Sequence, residues 1–128
     1  MRSNCPITCS LDILGDPWTL VVLRDVLLAG RRHFSELGVA EGIATNTLSE
    51  RLRRLETHGI LTVTRDPADG RRRIYQPTDR GLDLIEVIVD LAVWGLLHTE
   101  EGTAHAWILE RARTDRSALI AELRAAAT

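Results

Sequence analysis

Lysine is absent from this chain of 128 residues, whose sixteen basic residues are all arginine. A G+C-rich genome is sufficient to explain this bias, so it indicates a source rather than a function. Aromatic residues make up only 4%, and there are two cysteines, too few for a disulfide framework. Neither the cysteines nor the four histidines have the spacing of a metal site, so we expect no metal and no cofactor.

Long hydrophobic runs are also absent. The longest nearly apolar stretch, Leu84 to Leu97, contains Glu86 and Asp90 and is shorter than a bilayer requires. Residues 1–10 lack a hydrophobic signal region, so we expect a cytoplasmic protein with no membrane contact. The length and the hydrophobic content of 45% predict a single domain over residues 1–128.

The net charge of −2 hides an uneven distribution along the chain. Residues 31–80 carry ten arginines and seven acids, which gives +3, whereas residues 81–128 carry four arginines and eight acids, which gives −4. Residues 1–30 contribute −1. A basic middle segment can attract phosphates whatever the total charge is.

That basic segment has the element order of a helix-turn-helix followed by a hairpin. A short helix capped by Ser35 precedes a predicted second helix from Ala44 to His58. Strands are predicted over Leu61–Arg65 and Arg72–Gln76, joined by the turn formers of Asp66–Gly70. The order predicts a mainly α fold with a small β-hairpin, a winged helix-turn-helix.

Flanking helices are predicted on both sides of this unit. Asp16-Pro17 indicates a helix start, and a helix is expected before it, over Cys5–Leu14. A long helix is predicted from Thr78-Asp79 to Leu97, and another from Thr103 to Ala127, divided at Thr114-Asp115. We therefore assign about 16–78 to a DNA-binding core and about 5–15 and 79–127 to dimerisation helices.

The helix that ends at Leu97 is apolar on most of its circumference, which predicts burial on all sides. In so small a protein, a second copy is the most economical cover, so we expect a homodimer. The face around Ile108, with Leu119 and Leu123 after it, is expected to extend the same interface.

The second helix of the motif supplies the predicted DNA contacts. With its leucines turned inward, the predicted contacts are Thr45, Asn46, Thr47, Ser49, Arg51 and Arg53. Asn46 suits a paired contact with adenine, and the arginines suit phosphates. An alternative for Arg51 is an ion pair with a nearby acid. In the wing, Arg71, Arg72 and Arg73 are predicted to contact the minor groove or its phosphates, and strand alternation turns Arg72 away from its neighbours.

At these residues the sequence resembles the HxlR family of bacterial transcriptional regulators. The similar segments are Cys5-Pro6, Trp18-Thr19, Leu27 to Leu37, Leu48 to Leu52, Leu55-Glu56 and Gly59 to Leu61. The resemblance implies a winged-helix dimer whose terminal helices pair two subunits over an operator. The Asp69-to-Tyr75 hairpin is closer to the wing of the related MarR family.

The resemblance also implies that Cys5 is a reactive thiol that senses oxidants or electrophiles. A thiol near a helix N-terminus has a lowered pKa and is a better nucleophile. The alternative is an inert, packed cysteine. Trp94 and Trp107 are candidates for the pocket of a flat aromatic effector, although tryptophans on apolar faces more often serve the core or an interface.

Together these features predict a homodimeric repressor that binds a palindromic double-stranded DNA operator and is released by a thiol-reactive or small-molecule signal. A winged-helix adaptor that binds protein instead of specific DNA is the alternative. We find no activated nucleophile, carboxylate pair or phosphate loop, so we predict no enzyme and no catalytic residues.

Overall fold

The computed structural model describes residues 3–128, which form seven α-helices, one 3₁₀ helix and a two-stranded sheet. In chain order the elements are α1 (Pro6–Leu14), α2 (Thr19–Leu27), the 3₁₀ helix (Phe34–Glu36), α3 (Thr45–Thr57), β1 (Leu61–Arg65), β2 (Arg73–Pro77), α4 (Asp79–Leu82), α5 (Ile85–His98), α6 (Trp107–Thr114) and α7 (Arg116–Ala127). The predicted mainly helical fold with one hairpin is confirmed. None of the described helices is long and apolar enough to span a membrane.

The core gathers side chains from nearly every element. Leu48, Leu52 and Leu55 of α3 are buried, as their spacing predicted. Leu23 of α2 and Ile85 of α5 lie in the same cluster and are fully buried. Each such side chain contributes roughly 1.5–3 kcal/mol by leaving water. The core therefore fixes the second helix of the motif against the helices around it.

Two predicted helix starts are wrong in detail. We expected Asp16-Pro17 to begin a helix, but α2 begins at Thr19; the Asp16 carboxylate still caps it, because it accepts the N–H groups of Trp18 and Thr19 at 2.9 and 3.0 Å. Ser35 was expected to cap the short helix and lies inside it instead. His33 is the cap, because the Glu36 carboxylate accepts the His33 N–H at 3.0 Å in a capping box.

The hairpin pairs antiparallel, with Leu61 opposite Pro77. β2 begins at Arg73, one residue later than predicted, because the Arg72 N–H donates to the Asp69 carbonyl at 2.9 Å within the turn. The expected strand alternation does not extend to Arg71 and Arg72, because both precede the strand; all three arginine side chains are exposed.

The predicted long helix from Thr78-Asp79 is interrupted, and α4 and α5 are separate helices. The Leu84 N–H donates to the Gly81 carbonyl at 3.0 Å, which tightens the chain into a turn between them. Gly81 is required where α4 meets the hairpin, because an added Cβ would lie 2.3 Å from the Ile60 carbonyl oxygen. The axis of α5 is therefore not a continuation of that of α4.

The predicted division of the C-terminal helix is confirmed, since α6 ends at Thr114 and Asp115 caps α7. The expectation that this segment extends a dimer interface is wrong for three of its residues. Ile108, Leu119 and Leu123 are buried in the core of their own chain. The helices α6 and α7 fold back onto α5 and α2, which the sequence pattern alone could not distinguish from contact with a second copy.

Candidate nucleic-acid interface

The outer face of α3 is polar along its first turns. Thr45, Asn46 and Arg53 are exposed, whereas Thr47 and Ser49 are half-buried. Ala44 precedes the helix and has no side-chain oxygen to cap it, so the N–H groups of Thr45 and Asn46 are available to an external acceptor, whereas that of Thr47 is bonded to Asn46. A phosphate is the acceptor that best matches a helix N-terminus.

Among the residues predicted to contact bases, Asn46 has the strictest geometric requirement. Its Oδ1 accepts the Thr47 N–H at 3.0 Å, which holds the carboxamide over the start of α3. A paired contact with adenine uses the oxygen and the nitrogen of that amide together. Asn46 therefore has to rotate away from Thr47 before it can read a base in this way.

A polar groove of about 410 Å³ separates α3 from the hairpin. It is lined by His33, Phe34, Ser35, Ser49, Arg71, Arg72, Arg73 and Tyr75. The structure thus brings Ser49, a predicted reader, and all three predicted wing arginines to one groove. We call α3 from Thr45 to Arg53, together with this groove, the recognition surface.

The wing arginines are held loosely or not at all by the protein. Arg71 is 92% exposed, and its one ion pair among the described residues is with Asp69, at 3.3 Å. Arg72 and Arg53 form no ion pair among residues 3–128, and Arg73 interacts with the phenol of Tyr75. Burial raises the pKa of that phenol, so it stays protonated and neutral. The arginine charges are consequently available to a polyanion.

His33 fastens the wing to the 3₁₀ helix, a role that the sequence analysis did not assign. Its Nε2 lies 3.0 Å from an Asp66 carboxylate oxygen and its Nδ1 lies 3.1 Å from one of Glu36. The pKa of Asp66 is lowered mainly by the hydrogen bond from the Ala68 N–H and next by the one from the His33 side chain. The pKa of Glu36 is lowered mainly by the hydrogen bond from the His33 N–H. The capping-box spacing of His33 and Glu36 was a sequence signal for the cap of the 3₁₀ helix, but not for the contact with Asp66.

A second group of contacts ties α3 to the two helices before it. The Asp16 carboxylate lies 2.9 Å from Arg51 Nε and 3.6 Å from Arg54 Nη1, and Arg54 also donates to the Asp12 carbonyl of α1 at 3.1 Å. Partial burial would raise the pKa of Asp16, but bonds from Thr19 and Arg51 lower it to about 2. Arg51, a predicted DNA contact, is thus paired with Asp16 and also with the neighbouring Glu50.

Asp25 organises the turn that leads to α3, although it carried no sequence signal beyond its place on an apolar helix. It is only 2% exposed and accepts the Gly38 N–H at 2.7 Å. Arg24 and Arg31 approach the same carboxylate at 2.9 and 3.3 Å. These bonds satisfy a buried charge and fix the backbone between the two helices of the motif.

A different surface is apolar and exposed. It consists of Ile7 and Leu11 on α1, Val87, Leu91, Trp94 and Leu97 on α5, and Trp107 on α6, and we call it the apolar face. Trp94 is 61% exposed, and its ring lies 4.9 Å from that of His98 in a tilted arrangement. The predicted effector tryptophans, Trp94 and Trp107, are therefore exposed, and neither lines the apolar cavity between α2 and α5.

Cys5 stands immediately before α1 and is a free, half-exposed thiol. The backbone N–H groups of Thr8 and Ile7, and then the Thr8 hydroxyl, lower its pKa. Cys9, one turn later, is also free, and its Sγ lies 3.6 Å from the Ser3 carbonyl oxygen. This geometry is the one expected for a nucleophilic thiolate at a helix N-terminus.

Comparison with known proteins agrees with this architecture. Residues 13–103 match the model of the HxlR-like helix-turn-helix family. The chain is 38% identical over 85 residues to the uncharacterized HTH-type transcriptional regulator sll1512 of Synechocystis sp., which covers 66% of this chain and 63% of that protein. The chain therefore spans less than two thirds of that relative.

Solved structures show the same fold. The crystal structure of PA1607 superposes with a TM-score of 0.70 at 32% identity, over 77% of this chain and 68% of the other. The reduced form of the transcriptional regulator YodB from B. subtilis gives a TM-score of 0.60 at 27% identity, over 77% and 97%. Together with the family match over most of its length, these similarities show that the chain belongs to the HxlR-like helix-turn-helix family.

Proposed function

We propose that the protein is a sequence-specific DNA-binding transcriptional regulator, a repressor that binds a palindromic operator as a homodimer. The observation that carries the proposal is the recognition surface, where α3 and the wing arginines border one polar groove. Thr45, Asn46, Thr47 and Ser49 read bases in the major groove. Arg53, Arg71, Arg72 and Arg73 hold phosphates, and Arg51, held by Asp16, positions α3 instead.

The apolar face supports the homodimer. Large apolar side chains on both α1 and α5 are exposed, and exposed apolar surface of this kind marks a site of protein–protein contact. We assign about 16–78 to the DNA-binding core and about 5–15 and 79–127 to the dimerisation region, in which α1, α5 and Trp107 face the second subunit and α7 packs within its own chain. Two-fold symmetry then places the two α3 helices in half-sites about one helical turn apart, or a multiple of it.

The signal is proposed to act on α1 through Cys5. Oxidation or alkylation of this thiol adds bulk and polarity to a helix on the apolar face. The Arg54 bond to the Asp12 carbonyl connects that helix to α3, so a displacement of α1 reaches the recognition surface. Release follows because both half-sites must be held together for tight binding.

A mobility-shift titration tests the whole proposal. DNA from the region beside the gene is titrated with the reduced protein at several salt concentrations, and footprinting locates the site. We expect protection of an inverted repeat, an affinity that falls steeply with salt, and a dimer by light scattering. Diamide releases the wild type, whereas Cys5→Ser stays bound. If the protein shows neither a sequence preference nor a salt-dependent affinity for DNA, the result favours the protein–protein adaptor.

A further inference from the structure

An apolar cavity of about 280 Å³ lies between α2, α5 and the segment that joins α5 to α6. Leu20 and Val21 line it from α2, and Ile88 and Leu96 line it from α5. The cavity opens to solvent beside the apolar face, with which it shares Leu91. It shares no lining residue with the groove of the recognition surface.

Gly95 forms part of the cavity wall and has no conformational reason to be glycine. It lies inside α5, where alanine is more favourable, and it is not among the glycines with positive φ. A Cβ added at Gly95 would meet no heavy atom within 4 Å, so packing within the chain does not require glycine either. Close approach of another molecule to the backbone is a reason for glycine at such a place.

His105 lies at the same cavity in an unusual backbone conformation. Its φ of 60° makes it the one non-glycine residue with positive φ among residues 3–128. Residues held in this region cluster at ligand sites, where the surrounding structure offsets the strain. His105 lines the cavity, and its imidazole forms no hydrogen bond within the described part of the chain, so its two ring nitrogens are available to a ligand.

The charge of the lining selects against ions. Arg24 borders the cavity, but its guanidinium lies 2.7 Å from Glu41 and 2.9 Å from Asp25. Two carboxylates thus already compensate this cation, and the remaining wall is almost wholly apolar. An anion would gain no free positive partner here, and burying any charge in such a site is costly.

We propose that this cavity binds an uncharged, mostly apolar small molecule with a single hydrogen-bonding group that meets His105. A cavity of about 150 Å³ holds benzene, so the volume here suits on the order of ten non-hydrogen atoms. The ligand wedges between α2 of the DNA-binding core and α5 of the apolar face, which changes the angle between them. This effect on DNA rests on the proposed function, although the binding itself does not.

The test uses 2-naphthol as the probe, titrated into the full-length protein in a calorimeter. We expect saturable binding with one site per chain. Gly95→Leu, and Ala92→Leu one turn earlier, fill the space and weaken binding at least about tenfold. Gly95→Ala adds a single methyl group and weakens binding less than Gly95→Leu does, while Ala121→Leu, at an exposed position of α7, is the matched control and leaves binding unchanged. The anion 2-naphthoate binds at least about tenfold more weakly than 2-naphthol.

Thermal melts verify that each variant is folded, and light scattering follows its oligomeric state. Absence of saturable binding to the wild type, or equal binding by Gly95→Leu and Ala92→Leu, overturns the proposal; a second copy then fills the cavity if Gly95→Leu also dissociates the dimer. Operator binding is measured on the same samples. A wild-type protein that does not bind an operator contradicts the proposed function. Binding of 2-naphthol that depends on Gly95 supports the cavity site whether or not the protein binds an operator.

Discussion

The recognition surface and the apolar face differ in the kind of side chain that they leave exposed: the first exposes unpaired cations, and the second exposes large apolar groups. On the recognition surface, Arg53 and Arg72 are exposed cations, whereas Arg51 and Arg54 on the same helix α3 are paired with Asp16. On the apolar face, α5 exposes Trp94 but buries Ile88. In both regions the residue type alone does not identify the candidate surface. The arginines without an ion pair mark the recognition surface, and the apolar side chains that the core does not bury mark the apolar face.

The largest expected effect comes from the apolar face. Trp94→Glu places a charge in the proposed dimer interface, so we expect a monomer by light scattering. Operator affinity then falls at least about a hundredfold, because each half-site is bound alone. Ala121→Glu, at an exposed position of α7, is the matched control and leaves the dimer intact. A dimeric Trp94→Glu protein would place the interface elsewhere.

Asn46→Ala should have the next largest effect, and it should be confined to one base pair. Loss of a paired amide contact costs roughly 1–3 kcal/mol of discrimination at that position. Binding to a library of operator variants measures it. Thr57→Ala, at the exposed far end of α3, is the control and keeps the full preference. An unchanged preference profile would remove Asn46 from the proposed readers.

Arg72→Ala and Arg73→Ala sharpen the comparison between free and paired arginines. Each should weaken binding to all sequences and reduce the slope of log K against log salt by about 0.9 for each phosphate that the variant no longer neutralises. Arg111→Ala removes an arginine that lies 2.9 Å from Glu122 on the far helices, and it leaves the slope unchanged. Equal slopes for all three variants would argue against a wing that holds phosphates.

The smallest effect concerns the pH dependence of Cys5. Its pKa is lowered, so the thiolate persists to lower pH, and alkylation accelerates as pH rises through the folded-state pKa. In a Cys9→Ser background, Thr8→Val removes one hydrogen bond and should move the rate profile to higher pH. Ser10→Ala, whose hydroxyl bonds to the Pro6 carbonyl, should leave the profile in place. A profile unmoved by Thr8→Val would assign no role to that hydroxyl.

The local features of the fold were predictable because they depend on neighbouring residues. The leucine spacing of α3, the turn-forming residues of the hairpin and the stop at Gly59, with φ of 71°, are all short-range signals. The interruption between α4 and α5, and the close approach of Gly81 in α4 to Ile60, were not predicted from the sequence. Short-range sequence signals were sufficient for the first three features, whereas the position of the break between α4 and α5 was visible only in the structure.

The candidate site was predictable to a similar extent. The exposed face of α3 and the basic wing follow from periodicity and composition. The pairing of Arg51 with Asp16 spans 35 positions of sequence, and that of His33 with Asp66 spans 33, so neither has a local signature. The same limitation explains why Ile108 and Leu119 were assigned to a dimer interface, although their own chain buries them.

The bond between α1 and α3 has a consequence for how such a regulator can diversify. Arg54 donates to the carbonyl of Asp12, an acceptor that every amino acid supplies. Under the proposed function, substitutions along α1 can therefore change which reagent the helix responds to and leave its connection to α3 in place. New sensitivities become accessible by single steps in α1, without a compensating change in α3.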